Sequence, residues 1–216
     1  METDTVRCAL AAALQGRRLL EHPFYRRWEA GDLDPGELAG YAEQYRHVER
    51  AVPALLGGIV AGLPDGTAKD LVTVALADEQ GVPEAHVVLF ESFAAAAGAR
   101  PDAPAGPAAA RLTELQLGAA DRDPLAALAM VAAYETQAGD IATSKAQGLR
   151  DHFGFDEMGT RFWDVHAVME LDHAKWSLQA LALLSNDPAE ISVAAGLAAA
   201  AWWEFLDERE AMAHAA

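Results

Sequence analysis

Three Asp-Pro pairs stand in front of long stretches rich in alanine and leucine, at Asp34-Pro35, Asp123-Pro124 and Asp187-Pro188. An aspartate can cap the first free backbone N–H groups of a helix, and proline fits the next position because its missing N–H would be unpaired there. Alanine is the best helix former and is scarce in strands. The sequence therefore predicts an all-α chain, a bundle of about seven helices.

Length and charge limit the classes of protein that this chain can belong to. Its 216 residues, 52% of them hydrophobic, are enough for one domain covering 1–216. The formal net charge of −17 argues against nucleic acid and anionic membranes as partners, since both attract basic surfaces. The longest apolar run, Val193 to Trp203, is too short to span a bilayer. The start, Met1 to Thr5, lacks the basic region of a signal peptide. We expect a cytoplasmic protein.

The most informative polar residues are His166, Glu170 and His173, which are spaced i, i+4 and i+7. In a helix this spacing places all three side chains on one stripe, because each residue turns the chain by about 100°. Two imidazoles and a carboxylate form a ligand set for iron, manganese or zinc. The alternative interpretation is a helix with two unrelated histidines and a surface glutamate.

Further candidate ligands lie on two earlier segments. Glu79 and His86 are seven residues apart, which is two turns on one face of a helix. Gly81 and Pro83 interrupt the pattern between them, so the segment is either one bent helix or two helices with a joint. Glu135 lies in a mostly apolar stretch, where a carboxylate is costly to bury unless it is paired, protonated or bound to a metal.

These residues together supply three carboxylates and three imidazoles from separate helical segments. Facing helices build metal sites of this kind in the cores of helical bundles. Six donors exceed what one catalytic zinc ion uses. Two iron or two manganese ions with a bridging carboxylate fit the number better, and their open positions would take O₂.

Several segments resemble one known family. They are the motif His22-Pro-Phe-Tyr-Arg-Arg-Trp28, residues 77–86, the pair Tyr134-Glu135, and residues 145–149 ahead of residues 153–155. The chain is similar here to the haem-oxygenase-like (TenA/PqqC-type) helical proteins, and among these to the haem-oxygenase-like diiron oxidases of the CADD type. The similarity runs from about residue 20 to about residue 180.

The resemblance implies a fold, a ligand set and a cofactor. It implies a single haem-oxygenase-like domain with two metal ions, Fe²⁺/Fe³⁺ or a mixed Fe/Mn pair. That family has Glu-x6-His, a lone Glu and His-x3-(Asp/Glu)-x2-His, and Glu170 stands where the CADD pattern has Asp. The matching ligands here are Glu79, His86, Glu135, His166, Glu170 and His173.

The resemblance also implies an activity. CADD-like proteins form p-aminobenzoate for folate synthesis by consuming one of their own tyrosines and taking the amino group from one of their own lysines. Tyr25 and Lys145 match those two residues. O₂ would be the co-substrate, an external reductant would be needed, and each protein would react once. Without the resemblance, Tyr25 would be a packing residue and Lys145 a surface lysine in the last turn of a helix.

Two alternatives remain at this point. One is a diiron oxidase or oxygenase that acts on an external small molecule, with Tyr25 and Lys145 lining its pocket. The other is a metal-free TenA/PqqC-like binding or regulatory protein, which the six-ligand set disfavours. Thiaminase activity would need a nucleophilic cysteine in the core, and Cys8 lies outside the matched region. A homodimer through the apolar C-terminal helix is one option for assembly.

Overall fold

The computed structural model describes residues 1–81 and 84–213, and within them every regular element is a helix. The helices are α1 Thr3–Ala13, α2 Pro23–Ala30, α3 Pro35–Gly62, α4 Thr67–Glu79, α5 His86–Ala96, α6 Pro107–Arg122, α7 Pro124–Phe153, α8 Glu157–Leu184 and α9 Pro188–Ala213. A 3-10 turn, Leu19–Glu21, precedes α2. The all-α prediction is confirmed.

The Asp-Pro pairs begin helices as predicted. Asp34 accepts a hydrogen bond from the backbone N–H of Glu37 at 2.9 Å, and the Glu37 carboxylate accepts one from the N–H of Asp34 at 2.8 Å. Asp123 accepts from the backbone N–H three residues on, at 3.1 Å. Asp187 accepts from the N–H two residues on, at 2.8 Å. These bonds satisfy N–H groups that have no partner inside the helix.

The described part of the chain has nine helices, against about seven predicted. Two places account for the difference. α2 is only 8 residues long, so its periodicity is a weak signal. α4 ends at Glu79 and α5 begins at His86, so the joint between them separates two helices. The predicted interruption at Pro83 lies outside the described residues.

Buried apolar residues form two clusters that divide the bundle along its length. The aliphatic cluster includes Leu55, Leu56, Ile59, Leu128, Met130, Leu178 and Leu181. The aromatic cluster includes Phe24, Tyr25, Trp28, Tyr41, Tyr45, Phe90, Phe93, Phe162 and Trp163. On α3, α7 and α8 the chain passes from one cluster to the other, and Glu49, Glu135, His166, Glu170 and His173 are buried at that change. The fold therefore has a polar layer between two apolar ones.

The C-terminal helix corrects one expectation from the sequence. Residues Pro188–Met212 of α9 are long and apolar enough to cross a membrane by length and composition, whereas the shorter run alone was too short. Half of its most apolar 18-residue segment is buried inside the bundle. Ile191 and Ala195 belong to the aliphatic cluster and Leu206 to the aromatic cluster. The apolar character of α9 thus matches its role as a core helix. The absence of a membrane partner and the homodimer stay predictions.

Candidate metal centre

All six ligands predicted from the sequence are buried and meet in the polar layer. They form two groups, within each of which one donor atom per residue lies within 4.8 Å of the others. The first group consists of Glu49, Glu79, His86 and His166. The second group consists of Glu135, Glu170 and His173. The structure thus adds Glu49 to the predicted set.

Glu79 and His86 meet across the joint between two helices. Glu79 is the last residue of α4 and His86 the first of α5, so of the two alternatives the structure has two helices with a joint. The Nδ1 atom of His86 lies 2.9 Å from Oε2 of Glu79.

The three ligands on α8 share one face, as the spacing predicts, and all are buried. His166 donates from Nδ1 to the backbone carbonyl of Phe162 at 2.7 Å. This bond fixes the tautomer and leaves Nε2 as the free lone pair, an arrangement typical of metal-binding histidines. Burial lowers the pKa of His166 to about 4, so its ring is neutral near pH 7.

Glu79 lies between the two groups. Its Oε2 faces His86 in the first group, while its Oε1 lies 3.9 Å from Nδ1 of His173 in the second. The same nitrogen of His173 lies 3.9 Å from Oε2 of Glu170. The two oxygens of one carboxylate thus face different groups, so Glu79 is placed to bridge two cations.

Glu49 was missed because it lies outside every motif that the sequence suggested. It follows Tyr41 and Tyr45 at intervals of four on α3, and both tyrosines are buried. That period predicts that Glu49 shares their buried face. The signal was present, but a single glutamate beside Arg50 in a helix is more often a solvent-exposed residue.

A small cavity adjoins both groups. Its volume is about 60 Å³. The lining includes Tyr45, Glu49, Glu79, Tyr134, Glu135, His166, Glu170, His173 and Trp202. Pockets for organic ligands measure roughly 300–1,000 Å³, so this one has room only for very small molecules. Neither Tyr25 nor Lys145 is part of its lining.

Tyr25 and Lys145 lie together in the aromatic cluster. Both are almost fully buried, at 2% and 1% exposure. The Tyr25 hydroxyl hydrogen-bonds that of Tyr41 at 2.8 Å, and Lys145 donates from Nζ to the same Tyr41 hydroxyl at 2.5 Å. The Lys145 nitrogen lies 4.5 Å from the centre of the Tyr25 ring. Lys145 is therefore not the surface lysine that its position near a helix end would indicate.

Five aromatic rings surround the Lys145 nitrogen within 5.7 Å of their centres. They belong to Tyr25, Trp28, Tyr41, Tyr45 and Trp163. Burial lowers the pKa of Lys145 well below its ordinary value, against the raising effect of the Glu49 charge. Burial likewise raises the pKa of Tyr25, so the phenol stays protonated. The site holds an amine beside a phenol ring in dry surroundings.

Tyrosines connect this pair to the metal-binding groups. Tyr41 stacks on Tyr45 with ring centres 5.5 Å apart, and Tyr45 hydrogen-bonds Tyr134 through the hydroxyls at 2.8 Å. Tyr45 and Tyr134 both line the cavity beside the ligands. A continuous series of aromatic contacts therefore runs from the polar layer to Tyr25.

Comparison with known proteins identifies the family. The profile of a haem-oxygenase-like family described as iron-containing redox enzymes matches residues 39–204, which include every ligand in both groups. The chain belongs to this family. It is therefore a metal-dependent oxidative enzyme.

Two relatives of this chain share one name. The chain is 33% identical to a 4-aminobenzoate synthase of Nitrosomonas europaea, and the match covers 96% of this chain and 92% of the relative. It is 28% identical to a 4-aminobenzoate synthase of Chlamydia muridarum, and that match covers 84% of this chain and 79% of the relative. A CADD-like protein of unknown function from Nostoc punctiforme superposes with a TM-score of 0.76, at 17% identity and coverage of 97% and 99%. The predicted haem-oxygenase-like fold is confirmed.

The residues of this redox enzyme suit iron. In four of the seven residues a buried polar atom has no hydrogen-bond partner in the described part of the chain. These atoms belong to Glu49, Glu135, Glu170 and His173, whereas Nδ1 of His86 lies beside Oε2 of Glu79. Burial raises the pKa of both Glu135 and Glu170, in Glu135 against the lowering effect of His173 and of a hydrogen bond with Ser177. Imidazole and carboxylate donors suit iron and manganese, so a pair of such cations would satisfy the unpartnered atoms.

Proposed function

We propose that this protein makes 4-aminobenzoate from its own side chains, with Tyr25 as the source of the ring and Lys145 as the source of the nitrogen. The observation that carries the proposal is the position of the Lys145 amine, 4.5 Å from the centre of the Tyr25 ring and hydrogen-bonded to the same hydroxyl as Tyr25. The names of the relatives support the product.

The product has the same carbon skeleton as the tyrosine side chain, a six-membered ring with one further carbon. 4-Aminobenzoate has a carboxyl carbon para to a nitrogen, whereas tyrosine has Cβ para to a phenolic oxygen. The conversion breaks the Cα–Cβ bond of Tyr25 and oxidises Cβ to the carboxyl level. It forms a bond between the ring carbon Cζ and the Lys145 nitrogen, releases the phenolic oxygen as water, and breaks the Cε–Nζ bond of Lys145, leaving Cε at the aldehyde level. O₂ is the oxidant for both carbons, an external reductant supplies the remaining electrons that reduce O₂ to water, and the protein is consumed.

The residues of the two groups would hold the cofactor. His86 and His166 with Glu79 would hold one ion, and Glu135, Glu170 and His173 the other, with Glu79 between them. When bound, an Fe/Fe or Fe/Mn pair would activate O₂ and so supply the oxidising power for the reaction. The tyrosines between the groups and Tyr25 provide a contact route for electron transfer to it.

The chain's own residues prepare the amine for its role. Because burial lowers the pKa of Lys145, its nitrogen keeps a lone pair that can attack an oxidised ring. The hydrogen bond to Tyr41 holds this nitrogen close to Tyr25. The five surrounding rings exclude water, which would otherwise compete as the nucleophile.

The size of the cavity favours a substrate inside the chain over an external one. About 60 Å³ beside the ligands does not admit an aromatic molecule. A diiron oxidase acting on an external aromatic compound would need a larger space beside the ligands. The unpartnered buried ligand atoms disfavour the metal-free alternative, because an unpaired buried carboxylate is costly.

The test uses the whole protein, stripped of metal and labelled either with ¹³C in the tyrosine rings or with ¹⁵N at lysine Nζ. It receives Fe(II), or Fe(II) with Mn(II), then O₂ and ascorbate, without any other substrate. We expect ¹³C- or ¹⁵N-labelled 4-aminobenzoate in solution and a modified Tyr25 in the peptide mass spectrum. The two metal arms identify the active pair.

Three variants complete the test. Tyr25→Phe and Lys145→Arg should load metal normally and release no product. Lys175→Arg, a change at an exposed lysine on α8, should release as much as the unmodified chain. Unchanged product from Tyr25→Phe would exclude Tyr25 as the source, and unlabelled product would exclude the whole internal route.

A further inference from the structure

We propose that Glu49 is a metal ligand of the first group, so that the centre uses four carboxylates rather than the three given by the sequence motifs. This inference rests on the metal centre of the proposed function and adds to it a residue from a fifth helix, α3. Glu49 is 4% exposed, and a carboxylate oxygen lies within 4.8 Å of donor atoms from Glu79, His86 and His166.

One oxygen of the Glu49 carboxylate has no partner that would offset its burial. Its Oε1 atom has no hydrogen-bond partner among residues 1–81 and 84–213. The nearby Lys145 directs its amine to the Tyr41 hydroxyl rather than to Glu49. A buried carboxylate oxygen without a partner is costly, and a cation in the first group would remove that cost.

Charge balance gives an independent reason for a fourth carboxylate. Two divalent cations carry four positive charges, whereas Glu79, Glu135 and Glu170 supply three negative ones. The histidines are neutral ligands. Glu49 makes the buried centre neutral in total, and a net charge at this depth between two apolar clusters would be unfavourable.

With Glu49, the two metal positions offer equal numbers of donor residues. The first group offers four residues, two carboxylates and two imidazoles, and the second offers three of its own together with Glu79, whose other oxygen faces it. Without Glu49 the first position would have three. We therefore infer that Glu49 strengthens the binding of the ion in the first group.

The experiment is a metal titration of metal-free Glu49→Gln, with Mn(II) followed by electron paramagnetic resonance and Fe(II) followed anaerobically. Glutamine keeps the shape but removes the charge and a strong donor. We expect one of two binding events to weaken by at least about 10- to 100-fold, the loss that even supporting residues of metal sites produce, and the other to change much less. Equal affinity and stoichiometry in variant and unmodified chain would overturn the inference.

The matched control is Glu43→Gln on the same helix. Glu43 pairs with Arg100 at 2.8 Å and is not part of either group, so its loss should leave both binding events unchanged.

The variant Glu49→Asp distinguishes direct binding of the ion by Glu49 from an effect of its charge at a distance. Aspartate keeps the charge but draws the oxygens back, so a ligand role predicts weakened binding, and full rescue by aspartate would contradict it.

Thermal unfolding supplies a readout that separates a ligand from a structural residue. Without metal, Glu49→Gln removes an unpartnered buried carboxylate oxygen, so its Tm should equal or exceed that of the unmodified chain. With Mn(II), its Tm should rise less, because at a given metal concentration a ligand that binds more weakly stabilises the folded protein less. A lower metal-free Tm would indicate a structural role and overturn the inference. Failure of the unmodified chain to bind metal would instead refute the proposed function.

Discussion

Replacement of Lys145 by methionine tests whether the buried amine is neutral, as its proposed role as a nucleophile requires. Lys145 is 1% exposed and surrounded by five aromatic rings, and burial lowers its pKa well below the ordinary value. Methionine has a similar length, no charge and a sulfur that packs well against aromatic rings. Lys145→Met should therefore fold and should be more stable than the unmodified chain below the pKa of an exposed lysine.

The magnitude follows from the linkage between protonation and folding. Between about pH 8 and about pH 9 the unfolded chain holds a proton on Lys145, because an exposed lysine has a pKa of about 10.4. A folded chain with a neutral Lys145 holds none, so its free energy of unfolding rises by about 1.4 kcal/mol per pH unit. The variant lacks this contribution. Its advantage in stability should thus shrink by about 1.4 kcal/mol from pH 8 to pH 9.

Urea unfolding of the metal-free proteins at the two pH values measures this difference. Other titrating groups cancel, because they are present in both proteins. Lys175→Met, at an exposed lysine on α8, is the control, and its stability relative to the unmodified chain should not depend on pH. A difference between Lys145→Met and the unmodified chain that stays constant over this range would refute a neutral amine in the folded protein.

Three further changes test the packing, the centre and a helix start. Gly148→Ala would place a Cβ 2.9 Å from Trp28 Cδ1, so overpacking should lower the free energy of unfolding by about 1–3 kcal/mol, and undiminished stability in urea would contradict the fit. His166→Ala should abolish binding of one Fe(II) ion by elemental analysis, while His152→Ala should bind normally; full loading of the first variant would exclude the site. Asp34→Ala should cost about 1 kcal/mol in thermal unfolding through the lost cap, and any loss of bound metal would show that its effect is not local.

Local features of the sequence were enough to predict the helices and the positions of three of the seven residues of the centre. The Asp-Pro pairs mark helix starts because capping depends on neighbouring residues only. The stripe of His166, Glu170 and His173 follows from the period of a helix, and the structure buries all three. The resemblance to the diiron oxidases supplied Tyr25 and Lys145, whose chemistry no spacing rule could have indicated.

Tertiary structure decided everything that depends on how helices face one another. Glu79 and His86 meet through space across a joint between two helices, an alternative that the sequence had left open beside one bent helix. Glu49 joins them from α3, and Lys145 turns inwards where its position near a helix end indicated the surface. The physical reason is that periodicity shows which residues share a face of one helix, whereas the packing of the bundle determines which faces meet and what they exclude from water.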